Sequence, residues 1–228
     1  MYAIRLTPAG STYTAEKEEF VSRTPLPLTD MTVGGDGAIY FAVGGQGGQS
    51  ELYRVTYAGP EPTDPVDARN TAGAAERALR RKLEALHAPQ ADPAAAIALA
   101  VEHLGHADRF IRYAARIALE HQPVAQWQSD VLKQSDPAAL ITGVIGLARQ
   151  AEPAARDELL AALDRIDPAS LDAAGRLDLV RAYELTMIRL GAPAAEVKSA
   201  IAAKFSPLFP AGDLELDRAL SSLLVAVR

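Results

Sequence analysis

The sequence predicts a mainly α-helical protein: an α-solenoid of antiparallel helix pairs over residues 72–228, preceded by a small antiparallel β segment over 1–58. Three observations carry this reading. Half of the chain's 16 glycines precede Ala58, in a region where apolar residues alternate with the period of a strand. Beyond Thr71 the apolar residues recur at three and four, the spacing of a helix that buries one face. Between the two regions a linker is placed at 59–71. Its GPEPTDPVDARN run holds three prolines and four ionisable residues, a composition suited to neither strand nor helix.

In the β segment, Tyr2, Ile4 and Leu6 alternate with Ala3, Arg5 and Thr7, as in a strand with one buried face. A turn is expected from Pro8 to Ser11 and a second strand from Tyr13 to Val21. Two prolines in RTPLPL (23–28) remove ladder donors and forbid regular pairing there. Met31 and Val33 then lead into Gly34, Gly35, Asp36 and Gly37, an Asp-Gly turn that returns as a partner strand over 39–43. After the glycine-rich tip at 44–48, residues 52–57 make a closing strand.

Helices are expected at about 72–86, 93–104, 108–121, 124–134, 137–151, 153–166, 171–190, 193–205 and 214–227. Asp92-Pro93, Asp136-Pro137 and Asp213 each place a carboxylate where a helix needs an N-cap, twice with proline at the first helical position. Alternate helices start roughly 30 to 45 residues apart, the spacing of stacked helical pairs. In 109–121, Phe110, Ile111, Ala114, Ala115, Ala118 and Leu119 form an apolar face, and Arg109, Arg112, Arg116 and Glu120 line the opposite one. Leu179, Tyr183, Met187 and Leu190 form a comparable stripe, and Trp127 is spaced with Val124 and Val131 as a core residue.

Composition limits the chemistry. With no cysteine there is no disulfide, thiolate metal site, cysteine nucleophile or C-x-x-C-H haem attachment. The net charge of −6 is spread along the chain without a basic stripe, which argues against nucleic acid as a partner. No apolar run reaches the roughly 18 residues of a membrane span. The N-terminal MYAIRLTPAG reads as a strand and lacks the charged start and apolar stretch of a secretory signal. GGDG and GGQGGQS are followed by no helix and no Gly-Lys-Ser/Thr ending, so they are not read as phosphate loops.

No catalytic, cofactor-binding or metal-ligating residue is assigned. His103 and His106 lie three apart with Glu102 nearby, a zinc-like trio without a second ligand pair, and are read as turn residues. His87 and His121 close their helices, where a cation suits the helix dipole. Asp30 and Asp36 suit calcium chemically, but Asp36 is read as a turn former. Serine, histidine and aspartate occur too loosely to define a triad.

Several of these segments carry a resemblance. Residues 1–57 resemble the last part of the six-bladed propeller of PQQ-dependent sugar dehydrogenase-like proteins, ending in the Y-R-V-T-Y run at 53–57. Five or six strands amount to about one blade or slightly more, a partial β-propeller. Quinone-binding members carry two arginines before the aspartate matched by Asp30. Here Pro27, Leu28 and Thr29 stand in that stretch, so the anionic-cofactor clamp is missing, and no residue matches the family's catalytic histidine. ADRFIRYAARIALEH (107–121) resembles the second helix of a HEAT repeat, in which Asp108 and Arg112 would form a ladder between neighbours. The next repeat has Asp136 but Thr142, and the ladder is expected to break there.

RRKLEALH (80–87), HADRFIRYAARIALEHQPVAQW (106–127), LDLVRAYELTMIRLG (177–191) and SPLFPAGDLELDRALSSLLV (206–225) extend the likeness. Together with the propeller-like start they are similar to large bacterial "membrane-bound dehydrogenase" or PVC-type proteins, which join such a propeller and HEAT repeats to a c-type cytochrome domain. The resemblance implies a non-catalytic scaffold within a larger, periplasmic or extracytoplasmic redox protein. Its expected partners are the adjacent propeller and cytochrome domains or other proteins, with self-association through the β edge. PQQ, calcium and haem c are expected only in the full-length parent. The alternative is a fragment of a quinoprotein sugar or alcohol dehydrogenase, with 1–57 as one wall of its site.

Overall fold

The computed structural model describes residues 1–45, 47–64, 69 and 71–228. The expected linker and the glycine-rich tip at 44–48 therefore lie partly outside the described residues. The chain divides into two compact units, Met1–Ala72 and Gly73–Arg228. Among the described residues the first contains five strands and the second nine α-helices.

In the first unit, β1 (Tyr2–Ala9) pairs antiparallel with β2 (Thr12–Glu19), from Tyr2 opposite Glu19 to Ala9 opposite Thr12. The turn is tighter than expected: only Gly10 and Ser11 lie outside the ladder, and Gly10 supplies the positive φ of 59° that such a turn requires. Pro8 sits inside β1, in a sheet of two strands where each strand is an edge and a missing N–H is tolerated. A separate sheet has the order β3 (Leu28–Val33), β4 (Ile39–Val43), β5 (Glu51–Val55). The expected Asp-Gly hairpin joins β3 to β4. Phe41 in the central strand is 2% exposed and stacks on Tyr53 at 4.9 Å between ring centroids.

In the second unit alternate helices pack in series. α1 (Ala74–Glu84), α3 (Arg109–Glu120), α5 (Pro137–Gln150), α7 (Ala173–Leu190) and α9 (Leu214–Ala226) pack one on the next. α2 (Ala94–Glu102), α4 (Gln128–Leu132), α6 (Arg156–Asp164) and α8 (Ala195–Phe205) lie against that series. One apolar cluster runs from Leu83 to Val227. Burying such stripes is what holds short helices together, since individually they are marginal in water. Asp136 caps α5 through Ala138 and Ala139 and Asp213 caps α9 through Leu216, as the sequence implies, and Asp108 caps α3 by accepting from the Phe110 N–H at 2.8 Å. The expected Asp92 cap is displaced by one residue: Asp92 accepts from the Ala94 N–H at 3.2 Å, but α2 begins at Ala94 with Pro93 in the N-cap position.

Two expected helices open as 3-10 turns and become α-helical only later. The 124–134 segment opens as a 3-10 turn (Val124–Gln126) and becomes α-helical only at Gln128, because Trp127 leaves the helical path. Its ring is fully buried, and its Nε1–H donates to the Gln122 carbonyl at 3.2 Å. Another 3-10 turn (Pro153–Ala155) precedes α6, which starts at Arg156 rather than at 153. The charged face of α3 also differs from its reading. Glu120 has only 6% of its side chain exposed, between Arg116 on its own helix and Arg149 of α5 at 2.9 Å.

Candidate functional site

The turn between α2 and α3 concentrates the residues that attract functional attention in the sequence, and the structure commits most of them to the backbone. His103 Nδ1 lies 2.8 Å from the Leu99 carbonyl, so it carries the proton. His106 Nδ1 accepts from the Asp108 N–H at 3.0 Å and is therefore unprotonated. The rings stack with centroids 6.0 Å apart. No cluster of three or more potential metal ligands occurs among the described residues. A Cβ on Gly105 would meet the Asp136 carboxylate that caps α5, which would have to shift to admit it.

Arg112 corrects the ladder reading. Its guanidinium donates to the carbonyls of His106 (2.7 Å) and Ala107 (3.0 Å), in the turn that precedes its own helix. It closes its own helix pair. Contacts between successive pairs come instead from side chains near helix C-termini. Gln122, 4% exposed, donates to the Leu86 and Ala88 carbonyls and accepts from the Gln90 N–H. Arg165 donates to the Leu132 and Gln134 carbonyls. Lys204 does the same to the Asp164 carbonyl at 2.6 Å, and Arg189 to that of Arg149. Each supplies donors to main-chain acceptors 31 to 40 residues earlier, where a helix end leaves carbonyls without intrahelical partners and favours a cation.

A cleft of about 480 Å³ opens above the N-terminal ends of α3, α5 and α7, lined in part by Arg112, Thr142, Ser170, Asp172 and Asp178. Thr142, the position where the ladder reading lacks its second arginine, forms part of the wall. Burial pushes the Asp178 carboxyl up, the Arg112 charge opposes that rise, and the Asp172 charge adds to it. Asp172 is itself engaged, accepting from the Gly175 N–H at 2.7 Å. A carboxylate near a backbone-anchored arginine suits recognition of a polar chain segment. The described lining contains no nucleophile hydrogen-bonded to a base, as nucleophilic catalysis requires.

In the first unit, Asp36 accepts from the Ala38 N–H (3.1 Å), the Tyr40 hydroxyl (2.9 Å) and Arg54 (2.8 Å). Hydrogen bonds from Arg54, then Tyr40, then the Ala38 N–H lower its pKa to about 2. It is a turn carboxylate tied to the opposite strand, as its sequence context implies. A cleft of about 420 Å³ borders Thr29, residues 42–45 and residues 50–52. Arg23 is paired with Glu51 at 2.8 Å and with the Tyr53 hydroxyl. Leu28 and Thr29, on β3, bring no cation to this region.

Sequence reasoning missed Asp178 and the connections of Gln122, Arg165 and Lys204. Asp178 precedes the apolar stripe that begins at Leu179, so periodicity groups it with solvent-facing residues. The connecting side chains act over more than 30 residues and leave no local pattern. The chain matches no protein-family model, no curated protein and no solved structure.

Proposed function

We propose that the chain is a non-catalytic scaffold: a HEAT-like α-solenoid attached to a partial β-propeller, joining a dehydrogenase-like propeller to a c-type cytochrome domain in a larger extracytoplasmic redox protein. The observation that best supports the solenoid is the serial packing of alternate helices, stitched by Gln122, Arg165, Arg189 and Lys204 to chain 31 to 40 residues earlier. That is the economy of a repeat array, in which each unit contacts its neighbours. Exposed apolar residues in both sheets fit a β unit completed by further blades, and the cleft above α3, α5 and α7 suits a polar segment of a protein partner. PQQ, calcium and haem c belong, on this reading, to the neighbouring domains.

The second reading, a wall of a quinoprotein dehydrogenase site, draws on the cleft beside β3, β4 and β5. Adding PQQ and calcium to the chain with sugars or alcohols, and following reduction of a dye, separates the two. The scaffold reading expects no reduction and measurable binding of separately produced propeller and cytochrome domains. PQQ-dependent turnover by these 228 residues, or binding of neither domain, would overturn it.

A further inference from the structure

Charges that are spread along the sequence are sorted in the structure. Arg112 of α3, Thr142 of α5 and Asp178 of α7 share the wall of one cleft, so these three helices turn one face the same way. Steps of three, four and seven residues extend that face to Arg116 and Glu120 on α3, to Arg149 on α5 and to Arg181 and Ile188 on α7. Its ion pairs are asymmetric. The Glu120 side chain is 6% exposed, whereas that of Arg149, bonded to it, is 46% exposed. Arg181 and Glu184 repeat the pattern, with the guanidinium outermost. On α6 and α8 the order is reversed: Asp164 is 66% exposed and its partner Lys204 only 14%, and Asp157 and Arg156 follow suit. The helices α3, α5 and α7 therefore present guanidinium groups, although the chain as a whole carries a charge of −6.

The same face carries apolar groups. Arg109, Tyr113 and Arg116 stand at i, i+4 and i+7 of α3, and the Arg116 guanidinium lies over the Tyr113 ring at 5.0 Å. Tyr113 and Ile188 are both exposed. Arginine and tyrosine together are the residues that protein interfaces favour. We propose that this face binds an acidic segment of a partner protein, with its carboxylates on Arg109, Arg149 and Arg181 and its apolar side chains on Tyr113 and Ile188. The proposal rests on the scaffold reading for the partner being a protein, and goes beyond it in assigning that partner's charge. Nucleic acid fits the face less well, because it would set phosphates against the exposed Asp178 and leave Ile188 uncovered.

Fluorescence anisotropy on the whole chain tests this with three labelled probes: the peptide EELDEFLEEL, the same peptide with Gln and Asn in place of its carboxylates, and a deoxythymidine oligonucleotide. The acidic peptide should bind saturably, and more weakly as salt is raised, while the neutral one should not bind. Arg109→Gln combined with Arg181→Gln should weaken binding about tenfold. Tyr113→Ala should also weaken it, whereas Lys198→Gln, which removes a positive charge from α8, should leave it unchanged. Amide NMR shifts of the unaltered chain on adding the acidic peptide should fall on α3, α5 and α7. The proposal fails if the neutral peptide binds as well, if Lys198→Gln weakens binding as much as the arginine substitutions, if the shifts fall on α6 and α8, or if the oligonucleotide binds more tightly than the peptide. Self-association that the arginine substitutions abolish would assign the face to a second copy and likewise overturn it. Binding of the propeller or cytochrome domain by a chain that ignores the acidic peptide would sink this inference and leave the scaffold reading standing.

Discussion

The β unit and the helical unit both carry alternating or periodic apolar residues, but they dispose of them differently. Tyr2, Ile4, Leu6, Leu28, Met31, Val33 and Leu52 are all at least 40% exposed, whereas a single apolar cluster in the helical unit extends from Leu83 to Val227. The reason is layering. The serial helices bury their stripes against one another and against the helices alongside them in the same chain, but a sheet of two or three strands buries a face only when another layer covers it. β4 alone approaches that condition, through Phe41 and Val43. Equal apolar patterning thus yields unequal burial.

The largest effect should come from the shared core. Leu179→Ala, at a fully buried position of α7, should cost about 2 to 5 kcal/mol. Leu52→Ala, at a residue 75% exposed, should stay within about 0.5 kcal/mol of the parent. Urea midpoints followed by the helical circular dichroism signal measure the first, and amide NMR of the β strands the second. Similar costs at both sites would erase the contrast.

Next in size is Gln122→Ala. It would leave the Leu86 and Ala88 carbonyls and the Gln90 N–H without that partner, at about 1 to 3 kcal/mol. Asp108→Ala removes a cap bond and should cost about 0.5 to 2 kcal/mol. Both are read from thermal or urea unfolding. A larger loss at Asp108 than at Gln122 would return the weight to the Asp-Arg turn.

These two residues also show what the sequence discloses. The Asp-Pro pairs announce helix starts because capping is local chemistry, and α5 begins at Pro137 as that chemistry requires. The Trp127 break is not legible, since it depends on a buried Nε1–H reaching Gln122. Glu120 reads as solvent-facing because a pattern records polarity, and the covering Arg149 arrives from 29 residues away. Tyr183 is legible as a core residue, but that its hydroxyl has no hydrogen-bond partner among the described residues is visible only in three dimensions.

The smallest effect is electrostatic and confined to the first unit. Asp36 has its pKa lowered from 3.8 to about 2, so its contribution to the hairpin is fully present above pH 4 and is lost as pH falls toward 2. NMR titration of the Asp36 carboxyl, with β3 and β4 amide shifts followed in parallel, should show both changing together. Arg54→Met should raise the midpoint toward 3.8, because the guanidinium bond is the main cause of the shift. An unchanged midpoint would assign the hairpin's stability to its backbone alone.

Hydrogen exchange on the intact chain tests the central contrast most directly. Amides in α3, α5 and α7 should exchange only through cooperative opening of the helical unit, while those of the β strands should exchange orders of magnitude faster through local opening. Equal protection across the two units would contradict the account, because it would require the exposed apolar faces of the sheets to be covered in solution.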